Sequence, residues 1–124
     1  MNLPEGYQTV MPYLILRDVA AFIDFAKNVF GATELARYGN EDGSIAHAEI
    51  QIGGSTIMMG QSNDDWGVQN AGLYIHVDNT DASFQKAVDE GATVIMPIEN
   101  KEYGRTCGVK DPQGNTWWIT QVLG

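Results

Sequence analysis

The chain has 124 residues and a formal charge of −9, from 16 acidic and only seven basic residues. That length accommodates one domain with a modest core, and the acidity argues against a nucleic-acid partner, whose phosphates it would repel. The sequence shows no apolar run long enough to span a bilayer, no basic and apolar leader at Met1, and a single cysteine, Cys107, that cannot form an internal disulfide. These features fit a chain with no membrane partner in a reducing cytoplasm.

Met1 to Gln8 carries Pro4 and Gly6 and reads as an irregular lead-in. Thr9 to Leu16 is rich in β-branched and aromatic residues, with Pro12 near the strand's start or at an edge. Asp18 suits an N-cap. Phe22, Phe25, Ala26 and Val29 then recur at helical spacing up to Gly31. Thr33 to Tyr38 reads as a strand, followed by the turn cluster 39–43. Ile45 to Ile52 alternates Ala46, Ala48 and Ile50 against His47, Glu49 and Gln51, the pattern of a half-buried strand. Gly53-Gly54 signals a hairpin returning through Ser55 to Met59.

A polar stretch, Gln61 to Gly72, carries Trp66 and reads as a loop. Leu73 to Val77 is a strand. Asn79 or Thr80 caps a helix with Phe84, Ala87 and Val88 as its apolar positions, and Gly91 ends it. Strands are expected at Thr93 to Ile98 and Arg105 to Lys110. Asp111-Pro112-Gln113-Gly114 spells a turn, with Pro pre-set at its second position and Gly at its end. The last strand, Thr116 to Gln121, holds adjacent tryptophans that point to opposite faces.

The order strand, helix, three strands occurs twice. At an offset of sixty residues Asp18 matches Asp78, Gly31-Ala32 matches Gly91-Ala92, Gly54 matches Gly114, and Thr56 matches Thr116. These coincidences point to a duplicated βαβββ unit, too small to stand alone. The expected organisation is one domain over 1–124, with module 1 at about 8–60, a linker at 61–72 and module 2 at 73–121.

Phe30-Gly31-Ala32, His47 through Gly53, Val77-Asp78-Asn79, Glu90-Gly91-Ala92 and Val109 through Asn115 together give the chain its resemblance to the glyoxalase, bleomycin-resistance and extradiol-dioxygenase superfamily, also called the vicinal oxygen chelate superfamily. It looks closest to a small glyoxalase-like branch in which the Asp-Pro-x-Gly turn precedes a Trp, here Trp117. The resemblance implies an α+β fold of tandem βαβββ modules, with curved mixed sheets enclosing a cavity, commonly in a homodimer. Chemistry is left open, since the superfamily includes metal-dependent isomerases, transferases and dioxygenases as well as metal-free drug binders.

Metal-using members carry ligands on the first and last strands of each module. Carried over, those positions fall on Met11 or Pro12, Met58, Gly72 and Trp118, none of which offers a carboxylate or imidazole. No cofactor is therefore expected. A divalent metal at a displaced site of His47, Glu49 and His76 is the alternative, as is His47 with Glu49 as a catalytic acid-base pair.

With Trp118 and Met58 facing the cavity, the alternation places Tyr13, His47, Glu49, Tyr74 and His76 with them. The sixty-residue offset carries His47 and Glu49 onto Cys107 and Val109, and Arg105 shares a face with Cys107. An aromatic cup of this kind suits a flat, apolar molecule held by stacking. Against this stands a cup filled by its own side chains, and a buried, inert reading of Cys107. Three functions follow: metal-free binding of a small apolar or aromatic molecule, of the drug-sequestering kind; a lyase, isomerase or dioxygenase-type enzyme using His47, Glu49 or a displaced metal; or a non-catalytic dimeric scaffold.

Overall fold

The computed structural model describes residues 1–123. The elements run β1 (Tyr13–Leu16), α1 (Val19–Phe30), β2 (Thr33–Gly39), β3 (Ile45–Ile52), β4 (Ser55–Gln61), β5 (Gly72–His76), α2 (Thr80–Asp89), β6 (Thr93–Lys101), β7 (Gly104–Lys110) and β8 (Thr116–Gln121). They form two four-stranded sheets, ordered β1-β4-β3-β2 and β5-β8-β7-β6. In each, the first strand lies parallel to the last and the other pairs are antiparallel. The fold is α+β, a βαβββ unit used twice, and neither curved sheet closes on itself.

Both helices begin on the caps their sequences offer. Asp18 accepts the N–H of Ala21, and Asn79 rather than Thr80 accepts that of Ala82. Gly31 closes α1 in the left-handed region at φ 69°, where its N–H reaches back to Lys27 O. The two helices contribute unequally. Val19, Phe22, Ile23, Phe25, Ala26 and Val29 of α1 are all buried, but only Thr80 and Ala87 of α2 are. Val88, read from the sequence as a core position, is exposed. No helix among the described residues is long and apolar enough to cross a membrane.

One core runs between the modules. Leu14, Leu16, Ala48, Ile50, Ile57 and Met59 face inward from the first sheet, and Cys107, Val109, Trp117 and Ile119 from the second. Trp117 is the join. Its ring lies 4.6 Å from that of Phe30 and 6.2 Å from that of Phe22, so a module 1 helix packs on a module 2 strand. The stretch 61–71 is not a free tether. Gln69 exchanges both backbone hydrogen bonds with Ile15, which covers the outer edge of β1.

Candidate functional site

The alternation that buries Leu14, Ala48 and Ile57 turns Tyr13, His47, Glu49, Met58 and Gly60 onto the other face of the first sheet. There the polar groups join into one chain. Tyr7 Oη donates to Glu49 Oε1 at 2.5 Å, the other carboxylate oxygen meets His47 Nε2 at 2.8 Å, and His47 Nδ1 meets the Tyr13 hydroxyl at 3.1 Å. Tyr38, beside His47 in register on β2, stacks on the imidazole at 6.0 Å. Glu49 is only 8% exposed. Burial works against its charge, but the hydrogen bonds from Tyr7 and His47 prevail and hold its carboxyl below the usual range. The same carboxylate pushes the Tyr7 hydroxyl above its ordinary value.

Tyr7 belongs to the lead-in, which is tied down rather than loose. Gln8 Nε2 donates to Thr56 O at 2.9 Å, and Thr56 Oγ1 donates to Gly6 O at 2.5 Å. Nothing in the composition of 1–8 marks Tyr7 as a site residue. The only signal is an unpaired carboxylate on a sheet face, which needs a donor from somewhere.

The Tyr13 ring reaches across Gly60 to His47. A Cβ on Gly60 would stand 3.1 Å from the Tyr13 hydroxyl and 3.0 Å from Ala46 O. Beside these residues opens a cavity of about 520 Å³, walled by Tyr13, Ile15 and Trp66 and bordered by the amides of Gln61, Asn63 and Gln69. Trp66 is placed by an Asx turn in which Asn63 Oδ1 accepts the N–H groups of Asp65 and Trp66. Among the described residues, no charged side chain lines this cavity.

The second sheet presents a separate open face. Trp118 pairs in register with Tyr74 on one side and Gly108 on the other. Its ring lies over Gly72, whose Cβ would come within 3.0 Å of the indole, and beside Gly108. The indole is 38% exposed, and Tyr74 stands next to His76 with ring centroids 5.3 Å apart. The structure therefore divides the expected single cup. Tyr13, His47, Glu49 and Met58 share one face; Tyr74, His76 and Trp118 share another.

Two expected members belong to neither face. Cys107 pairs with Ile119 and lies fully buried on the helix side, where burial pushes its thiol up to about 11. The cause lies in the hairpin turn. Ile52 pairs with Ser55 across two intervening residues, whereas Lys110 pairs with Thr116 across five. The longer turn shifts β7 against β8 by one place relative to the first module, and one place reverses the face. The residue opposite Trp118 is Gly108, as Glu49 is opposite Met58; Val109 falls in the core with Cys107. Arg105 is engaged elsewhere, in a two-pronged pair with Asp81 and a hydrogen bond to Asn100.

Residues 8–119 match the model of the Glyoxalase/Bleomycin resistance protein/Dioxygenase superfamily. The chain belongs to this superfamily. An uncharacterized protein of Mycobacterium bovis is 35% identical over 90% of this chain and 82% of its own length. Among solved structures, TioX from Micromonospora sp. ML1 superposes with a TM-score of 0.77 at 24% identity, covering 94% of this chain and 100% of that one. The fosfomycin resistance protein FosX from Listeria monocytogenes gives 0.71 at 17% identity, covering 94% of both chains. At these identities the structures speak for the fold alone.

The positions that the resemblance assigns to metal ligands, on the first and last strands of each module, do not fit a metal here. Met11, Pro12 and Gly72 offer no donor side chain for a hard metal, Met58 and Trp118 offer a thioether and an indole, and the residues beside those two in register on β1 and β5 are Tyr13 and Tyr74. His47 and Glu49 are bonded to each other, while His76 lies on the other sheet. No three His, Cys, Asp or Glu side chains come together among the described residues.

Proposed function

We propose that this superfamily member binds a small, flat, uncharged apolar or aromatic molecule in the cavity beside Tyr13 and Trp66, without a metal. The observation that carries the reading is the cavity itself. Its volume of about 520 Å³ lies within the usual range for small-molecule sites, its walls are aromatic and aliphatic, and its polar border is uncharged. Trp66, 62% exposed, gives a stacking surface held by its turn. A drug-sequestering role is one use of such a site.

The exposed aromatic faces extend the reading to a homodimer. Tyr13 and Tyr38 on the first sheet, and Tyr74 and Trp118 on the second, are large apolar groups left half open by a single chain. A second copy that sets its second sheet against the first sheet of its partner covers both faces and brings Trp118 across from the cavity. Sedimentation gives the oligomeric state.

Titration calorimetry with a panel of planar, uncharged aromatic compounds tests the ligand reading. Binding that weakens at least about tenfold in Trp66→Ala supports it, since base-like stacking of one ring is worth about 1–3 kcal/mol. Failure of every compound to bind would count for a non-catalytic scaffold. A second reading, acid-base catalysis through His47 and Glu49, is favoured by the hydrogen-bonded chain from Tyr7 to Tyr13. It calls for turnover of a bound carbonyl compound that disappears in His47→Ala.

A further inference from the structure

We infer that the Tyr7–Glu49–His47–Tyr13 chain leaves the Tyr13 hydroxyl a hydrogen-bond acceptor at the edge of the cavity, so that a ligand group meeting it carries an O–H or N–H donor, as a phenol or aromatic alcohol does and an ether does not. The inference rests on the binding reading above and adds the chemical class of the ligand.

The direction of each hydrogen bond follows from the one before it. The Glu49 carboxylate only accepts, so Tyr7 donates to one oxygen and His47 Nε2 carries the hydrogen aimed at the other. A neutral imidazole holds one N–H. With that hydrogen on Nε2, Nδ1 is a bare lone pair, and the Tyr13 hydroxyl donates to it. The phenolic hydrogen of Tyr13 is thereby spent, and its oxygen turns only lone pairs to its surroundings. That oxygen would lie 3.1 Å from a Cβ on Gly60, which lines the cavity together with Tyr13 and Ala46. A ligand that reaches it must bring the hydrogen itself.

The polarity depends on His47 staying neutral. The ionisable groups facing the ring are Tyr13 of β1, Tyr38 of β2 and Glu49 beside it on β3, with Tyr7 of the lead-in behind Glu49; β4 contributes Met58 and Gly60. Gly60 makes the arrangement accessible, because any side chain there would meet the hydroxyl.

Calorimetric titration of the full chain with 2-naphthol and with 2-methoxynaphthalene at about pH 8 tests this. The two probes share a ring and differ in one donor hydrogen. 2-Naphthol is expected to bind about three- to tenfold more tightly, the worth of one hydrogen bond. The ratio is expected to fall to about one in Tyr13→Phe, with far-UV dichroism confirming the fold. Equal affinities for the two probes at about pH 8 would overturn the inference and leave the binding site standing. A ratio unchanged in Tyr13→Phe would assign the discrimination to another group and overturn it as well. Absence of binding by both probes would overturn the cavity reading and this inference together.

Discussion

The indole N–H of Trp117 donates to the buried Asp111 carboxylate at 2.8 Å, six residues back along the chain. The same carboxylate accepts the backbone N–H groups of Gln113 and Asn115 and the Asn115 side-chain amide. Asn115 passes the connection on by accepting the N–H of Ala71, just before β5. The Asp-Pro-Gln-Gly turn is therefore a knot that fixes the start of β8, the rotamer of Trp117 and the entry to β5 at once. Asp111→Ala removes the shared acceptor and leaves buried donors without partners, at about 1–3 kcal/mol each. A total loss of about 3 kcal/mol or more is expected, lowering Tm by roughly 10 °C for a domain of this size. Thermal unfolding by dichroism measures it, and a loss below about 1 kcal/mol would mean that the knot is ornamental.

Cys107 is expected to be inert in the folded protein. It is fully buried against Ile119, and a thiol with a value of about 11 holds almost no thiolate at neutral pH. Reaction with a thiol-specific disulfide reagent at about pH 8 should proceed only at the rate of unfolding, and become fast in denaturant. Rapid labelling of the native chain would contradict the placement of β7.

That placement shows where reading the sequence worked and where it failed. Alternation alone separated Trp117, now 1% exposed against Phe30, from Trp118 on the open face. It also put His47 and Glu49 together, since both lie on one strand and no register is needed to relate them. Relating β7 to β8 required the turn length, and carrying the first module's hairpin over to the second hid the extra place. Tyr7 was illegible for a different reason. Its role depends on a chain segment folding back over residues more than forty positions away, and no local pattern encodes that. The cavity beside Trp66 was hidden similarly, because the loop that forms it docks on β1 through the backbone of Gln69.

Gly60 is expected to resist substitution although its backbone conformation is ordinary. An added methyl would sit 3.1 Å from the Tyr13 hydroxyl, which can swing away, and 3.0 Å from Ala46 O, which is held in the sheet. Gly60→Ala should cost about 1–2 kcal/mol, in the range of overpacking. It should also break the bond between Tyr13 and His47. The change is visible as a loss of nuclear Overhauser contacts between the two rings, which lie 5.6 Å apart in the native chain. Part of the cost should vanish in a Tyr13→Ala background, where the hydroxyl is absent, and part should remain from the carbonyl. Full additivity in that cycle would show that Tyr13 does not lie over Gly60.

The two ends of the Tyr7–Glu49 hydrogen bond predict opposite pH limits. Glu49 is held below its ordinary value in the folded state, despite the burial that opposes its charge. Its contribution to stability is thus complete above about pH 4.3, the unfolded value, and is lost as pH falls through the depressed native one. Tyr7 is held above its ordinary value, chiefly by that same hydrogen bond. Its contribution is complete below about pH 10 and is lost as pH rises through the elevated native value. Denaturant midpoints followed between about pH 2 and pH 11 should therefore fall at both ends. Glu49→Gln is expected to reduce the acid limb by Glu49's share, because the amide does not titrate while Glu34, Asp42 and Asp81 keep their lowered values, and to remove the alkaline contribution of Tyr7 as well, since the carboxylate that raised it is gone. Tyr7→Phe is expected to remove the alkaline contribution and to shrink the acid one while leaving it measurable, because His47 still donates to Glu49. If Tyr7→Phe leaves both limbs unchanged, the lead-in does not reach Glu49 in solution, and the carboxylate is held by His47 alone.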